Sequence, residues 1–420
     1  MKRQAQTKEG QTRFAGGKIT LPRLVLRFLV IGAIGFGGGM ANIALMEREL
    51  VRKRGVISDE EFLHGVGFGQ LLGPFATNTA FFVGARLFGP LGGLFCAGAF
   101  MTPSVVLVIL FSWLYFTYHR IPSLQTAVQG VGPVVIALIL AAAWSLGRKS
   151  LRRWPAIIVA ILALALSLLK VNALYVLAGA GVAGLLAGRS RLGAGGSPGR
   201  HGGKRGTLDT DEGRGAEERG APQELPSHPS VLPAQALAVA GASQAATGVP
   251  LATIAWTFLK VGFVFFGGGF VLVPILHQQL VTQLHWLNNR QFLEGVAISN
   301  LTPGPIAVLA TFAGYHLGGV AGALLATAAL FAPAMLLMTV LSKGYGRFQG
   351  NERFEDFLSG VSPAVAGLIV GAAAHLGPEA LHGTPAWGLM ALALLLLLKF
   401  RVHPIFPLSA GAILGASGWV

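Results

Sequence analysis

The sequence predicts an all-α polytopic membrane protein made of two homologous helical repeats in inverted, antiparallel orientation, with helices broken or made re-entrant by Gly and Pro. Three observations predict it. Of 420 residues, 53% are hydrophobic and only 12% are charged, which leaves too little polar surface to coat a soluble globule. A glycine run, Phe36-Gly37-Gly38-Gly39, recurs as Phe266-Gly267-Gly268-Gly269 in a register that holds along both halves at an offset of 230 residues. Finally, the loops of the two halves carry their Lys and Arg residues in opposite places, and those residues set orientation.

In chain order, residues 1–20 form a polar N-terminal tail, read as cytoplasmic and without a cleavable signal peptide. The first repeat spans residues 21–188. Its apolar runs Val105–Trp113, Val134–Trp144, Ala156–Leu169 and Ala173–Ala187 anchor membrane helices, several extending to the ~20 residues a bilayer requires. Residues 189–250 read as a flexible linker rich in Gly, Arg, Glu, Asp and Pro, which cannot bury enough surface to fold. The second repeat spans residues 251–420, with anchors at Gly318–Val340 and Trp387–Leu398. Phe28, Gly32, Gly65, Gly84, Gly92, Pro103, Gly130 and Pro133 match Phe258, Gly262, Gly295, Gly314, Gly322, Pro333, Gly360 and Pro363. A one-residue slip sets Gly73-Pro74 opposite Gly304-Pro305.

The charges specify orientation. Arg48, Arg52, Lys53 and Arg54 follow the first glycine run, and His277–Trp286 after the second has no Lys or Arg. Arg148, Lys149, Arg152 and Arg153 have no cationic counterpart in Leu376–Thr384, whereas Lys343, Arg347 and Arg353 answer a first-half loop that has only Arg120. Inversion needs an odd number of crossings between equivalent points, and 231–249 is the candidate extra one. Simple alternation cannot keep the N-terminus and both basic loops on one side. Re-entrant segments with tips at Gly37–Gly39 and Gly73-Pro74 satisfy all three, because irregular backbone at membrane depth is tolerated where protein or a wet cavity covers it.

The pI of 10.6 and formal charge of +15 come from these loops and not from an aromatic-interleaved basic stripe, so no nucleic acid partner is expected. The single cysteine, Cys96, excludes a disulfide framework and a thiolate metal site. No HExxH, Walker loop, GxSxG or G-x-G-x-x-G is present, so neither an enzyme nor a cofactor or metal is expected.

Candidate chemistry lies at the breaks. Glycines weaken a helix by roughly 1 kcal/mol each relative to alanine, prolines free carbonyls, and a half-helix N-terminus presents N–H groups and a positive dipole end to an oxyanion. The candidate substrate-binding residues are Gly37, Gly38, Gly39, Asn42, Gly73, Pro74 and Asn78 in the first half. In the second they are Lys260, Gly267, Gly268, Gly269, Asn300, Thr302, Pro303, Gly304 and Pro305. Close helix packing through small residues is the alternative for the glycines. For Lys260 it is snorkelling beside Trp256. Arg86 is a second cationic candidate, and His64 and Glu294, equivalent positions in the two copies, are candidate proton carriers with Glu47 and Glu49. The tighter ligand contacts are expected on the second copy, which carries Lys260 and Thr302-Pro303-Gly304-Pro305.

These motifs resemble the chromate ion transporter family, in its long two-domain form. The residues that carry the resemblance are Phe36–Gly39, Glu49-Leu50-Val51, Gly73-Pro74, Gly84 and Pro103-Ser104, then Phe266–Gly269, Thr302–Ala307, Gly314, Gly318, Gly322-Ala323 and Pro333. The first half departs from the pattern at Leu72 and Val56, and Gln279 stands where Glu49 supplies an acid. The resemblance implies a multi-pass protein of the bacterial inner membrane that exports chromate. A secondary transporter working by alternating access fits the two repeats. Sulfate or another oxyanion, a non-transporting sensor or scaffold, and a channel stay open as alternatives, as does a homodimer.

Overall fold

The computed structural model describes residues 19–36, 38–118, 122–151, 154–193, 248–265, 269–343, 352–400 and 402–419; they are helical with short connections and contain no strand. Most of the expected linker and of the 231–249 crossing, together with Gly37, Gly267 and Gly268, lies outside them. The first half comprises α1 (Leu21–Ile34), α2 (Gly38–Met46, widening into a π turn at Glu47–Arg52), α3 (Asp59–Leu71), α4 (Phe75–Tyr118), α5 (Pro122–Ser150), α6 (Trp154–Leu168) and α7 (Ala173–Gly193). Helix α7 thus runs five residues beyond the boundary expected at Gly188. The second half comprises α8 (Leu251–Val264), α9 (Leu272–Leu276, with a 3₁₀ turn before it and a π turn, His277–Gln283, after it) and α10 (Asn289–Leu301). It continues with α11 (Leu309–Lys343), α12 (Glu352–Ala380), α13 (Gly383–Leu398) and α14 (Ile405–Ala416). The bounds of α1 and α8, of α3 and α10, and of α5 and α12 stand 230 residues apart.

Local chemistry sets these ends. Helix α3 starts at Ser58, whose hydroxyl accepts from the Glu61 N–H at 3.2 Å, and Asp59, Glu60 and Glu61 place negative charge at its positive end. Helix α10 starts with a reciprocal capping box: Asn288 Oδ1 accepts from the Gln291 N–H at 2.8 Å, and Gln291 Oε1 from the Asn288 N–H at 3.0 Å.

Among the described residues four apolar stretches are long enough to cross a membrane: Phe75–Tyr118, Gln129–Arg148, Ile306–Val340 and Ser359–Ala380. The first and third are not straight. At Phe88-Gly89 and at Gly318-Gly319 the backbone leaves helical angles, with the second glycine of each pair at φ 75° and 59°. Each chain then doubles back. Gly84 packs on Gly92, and Gly93 on Phe81; Gly314 packs on Gly322, and the hydroxyls of Thr311 and Thr327 meet at 2.7 Å. Residues 90–118 therefore make a limb of about 43 Å, enough to span the ~30 Å hydrocarbon layer, and residues 75–87 one of about 20 Å, which is not.

The short limbs pair off. Gly65 and Gly69 of α3 lie against Phe82 and against Phe75 and Thr79 of α4, contacts that fan out from the Gly73-Pro74 turn as in an antiparallel hairpin. Gly295 of α10 lies in the same way on Leu309 and Phe312 of α11. The start of α1 and the end of the α2 segment also lie together, close enough that Arg27 feels the charges of Arg54 and Glu49.

The halves are interlaced. Helices α6 and α7 pack on α12, and α13 and α14 on α5. Gly130 of α5 meets Gly411 and Gly415 of α14, while Gly360 of α12 meets Ala180 and Gly184 of α7. The start of α5 touches the end of α12 through Gly132 and Ala380, and Leu140 and Gly147 share a groove with Val370 and Ala366, so α5 and α12 run antiparallel.

Candidate functional site

The breaks of one half meet those of the other. The Gly304 N–H donates to Gly35 O at 3.2 Å, and Gly73 packs on the carbonyl and ring of Phe265. Gly35 and Phe265 are 230 residues apart and Gly73 and Gly304 are 231 apart, so each glycine-run break is closed by the opposite half's Gly-Pro break. Gly73 and Gly304 have φ of 94° and 105°, a region that L side chains rarely adopt, so glycine is required at both turns. Gly73, Pro74 and Thr302–Pro305 are buried.

The carbonyls freed at these breaks are held internally. Leu72 O accepts from Asn78 Nδ2 at 3.1 Å, Gly35 O from Gly304, Ser299 O from Thr302 Oγ1 at 3.1 Å, and Pro303 O from Ser104 Oγ. The helix starts at Gly38 and Phe75 leave the opposite groups, N–H donors of a first turn, without intrahelical partners, whereas at the Ile306–Val308 turn the N–H groups of Val308 and Leu309 are already bonded to Pro305 O and Ile306 O. A meeting point whose freed backbone carbonyls are bonded while first-turn donors at Gly38 and Phe75 are not is chemically biased toward anions.

Polar side chains add to this unequally. Asn42, Thr77, Asn78, Thr79 and Ser104 are all wholly buried, and Thr77 Oγ1 and Asn78 Oδ1 have no hydrogen-bond partner. Their counterparts at the same offset are Leu272, Ala307, Val308, Leu309 and Ala334. In the second half Asn300 Nδ2 donates to its own helix at Val296 O, 2.8 Å away, and Thr302 is likewise spent locally. Thr77 Oγ1 and Asn78 Oδ1 of the first half are thus open, and so is His403 Nε2 of the second half, whose ring lies 6.3 Å from that of Phe36, whereas Asn300 and Thr302 satisfy carbonyls of their own helix end. Thr77 and Ser104 were missed as candidates. The signal for Ser104 was present in Pro103-Ser104, but its target is 199 residues away.

Lys260 stands apart. It is exposed on α8, its ammonium 6.0 Å from the centroid of Trp256, while Phe258, Val261 and Gly262 face inward. Helix phase sets this: Lys260 stacks one turn beyond the exposed Trp256, on the face away from Phe258, Val261 and Gly262. Arg86 pairs with Glu61 at 2.8 Å, and Glu47 and Glu49 pair with Arg52 and Lys53 at 2.7 Å each, an interfacial cluster outside the breaks. Gly39 packs on Phe75, and Gly269 on Ile306. Among the described residues no group of His, Cys, Asp and Glu is arranged to hold a metal.

Apolar helices too long for a soluble core, with short broken helices meeting between two interlaced halves, define an all-α membrane protein of transporter type. The profile of the chromate transporter family matches residues 22–185 and again 252–416, and the chain belongs to that family. It is 30% identical over 378 residues to a probable chromate transport protein of Synechococcus elongatus, covering 89% of each chain. It is 30% identical over 408 residues to a chromate transport protein of Cupriavidus metallidurans, covering 94% of this chain and 92% of that one. An uncharacterized transporter of Bacillus subtilis, YwrA, is 30% identical over 153 residues, 36% of this chain but 86% of its own length. No solved structure matches.

Proposed function

We propose that this protein is a secondary transporter that moves chromate, a tetrahedral dianion, out across the bacterial inner membrane by alternating access between two inverted repeats. The observation that carries the reading is the meeting of the four breaks, whose carbonyls are internally bonded while the first-turn N–H groups at Gly38 and Phe75 are left to a ligand. The names of the two long relatives supply the substrate. Inversion is supported by antiparallel α5 and α12, which occupy equivalent places in sequence, and by the opposed loop charges. Ligand contacts fall to backbone around Gly38 and Phe75, helped by Thr77 and the amide of Asn78; Lys260 is not required. Because the breaks are buried, an ion reaches them only when one interlaced helix group moves against the other.

The test is uptake into vesicles of purified, reconstituted protein under imposed pH and voltage gradients. Saturable, gradient-driven chromate flux is expected. Sulfate or another oxyanion as the preferred substrate would show as competition stronger than chromate's own self-competition. A sensor or scaffold gives no flux, and a channel gives flux without saturation.

A further inference from the structure

A second polar site lies away from the breaks, in a partly open cavity of about 270 Å³ where the start of α5, the start of α10 and the end of α12 come together. Arg290 Nε donates to Glu294 Oε1 at 3.1 Å, and the Glu294 side chain is only 5% exposed against 38% for Arg290. The Tyr115 hydroxyl, from α4, donates to the same carboxylate. Gln129, Glu379 and His382 complete the polar lining. One water's share of the liquid is about 30 Å³, so the cavity has room for a tetrahedral anion with part of its hydration shell.

An ordinary i,i+4 helix pair does not account for this. Helix α3 has the same length and starts at the equivalent residue with Glu60 and His64 in these places, so the helix folds without the pair. Surface pairs of this kind contribute little, whereas a carboxylate removed from water needs its partners. We propose that Arg290 is a docking site for a tetrahedral oxyanion, competed for by Glu294, so that protonation of Glu294 opens the site and anion binding takes up one proton.

The charges facing Glu294 explain the sign. With Glu294 and Glu379 both ionised against Arg290, the cavity repels an anion. A proton on Glu294 leaves one carboxylate, one guanidinium and the imidazole of His382, and weakens the hold of Glu294 on Arg290 Nε, whose guanidinium geometry matches an oxyanion. The proton comes from the water in the cavity and returns there when the anion leaves. Tyr115 keeps a hydrogen bond to Glu294 in either state.

This inference rests on the oxyanion transport reading, and one experiment separates them. Chromate uptake by the full-length protein in vesicles is measured between about pH 5.5 and 8.5, with E294Q and the double variant R290Q/E294Q beside the wild type. The anion's own protonation is common to all three and cancels in the ratios. In the wild type the half-saturating concentration should rise with pH. In E294Q it should stay low, at least about fivefold below wild type at the alkaline end, and converge with it at the acid end. The double variant removes both charges of the pair and should show a high, pH-independent value. Glu294→Gln keeping the wild-type pH slope, or the double variant matching E294Q, overturns the inference and leaves transport standing. No chromate flux in the wild type overturns both.

Discussion

At the residue scale, one glycine, one hydroxyl and one lysine separate conformation from ligand binding. Gly304 is held at φ 105° against Ser104 with its N–H on Gly35 O. Gly304→Ala should cost about 1–3 kcal/mol from the backbone alone, lower the melting temperature and cut uptake at least tenfold. Thr77 behaves differently. Its hydroxyl is buried without a partner, so the near-isosteric Thr77→Val removes an unmet polar group and should leave stability unchanged or raise it by about 1 kcal/mol. Uptake should nevertheless fall, and uptake at the wild-type level would remove Thr77 from the ligand site. Lys260→Met provides the contrast: with the ammonium beside Trp256 on the outer face, uptake should stay within about twofold of wild type. The sequence marked Lys260 as the most conspicuous charge in an apolar run. Only the phase of α8 shows which way it faces.

At the element scale, the fold-backs at Phe88-Gly89 and Gly318-Gly319 are the features least legible in the sequence. The sequence marks Val105–Trp113 as an anchor and Gly73-Pro74 as a tip, but hydropathy does not show that residues 75–118 form a hairpin. The paired glycines Gly84 and Gly92 were visible as markers of the repeat, but not as a place where two limbs touch. Melting of the purified protein tests the hairpin. Gly84→Val forces a branched side chain into the backbone at Gly92 and should destabilise by 3 kcal/mol or more, on the order of severe overpacking. At Gly89, where nothing lies within 4 Å of an added methyl group, Gly89→Ala should cost only about 1–2 kcal/mol for its positive φ. Equal losses at both sites would argue against a packed hairpin.

At the scale of the whole molecule, neither half has a complete partner set of its own, since α6 and α7 lie on α12 while α13 and α14 lie on α5. A chain divided between residues 193 and 248 should therefore yield two fragments that co-purify and support uptake when produced together. Either fragment alone should aggregate or be degraded. A first half that is monodisperse and stable by itself would contradict the interlaced packing. A relative of about half this length, YwrA, is consistent with the half chain as a unit of sequence.

The sequence by itself determined the class and the plan. Composition demanded a lipid environment, the 230-residue register revealed two copies, and the Gly and Pro punctuation located the breaks, because backbone restrictions are local and travel with the residue type. Tertiary structure alone decided which break meets which: Gly35 finds Gly304, and Gly73 finds Phe265. It also decided that Thr77 Oγ1 and Asn78 Oδ1 are left open while Asn300 and Thr302 are not, and that Glu294 is shut in with Arg290 and Tyr115. Such pairings join positions hundreds of residues apart through helix phase and close packing, which no local pattern encodes.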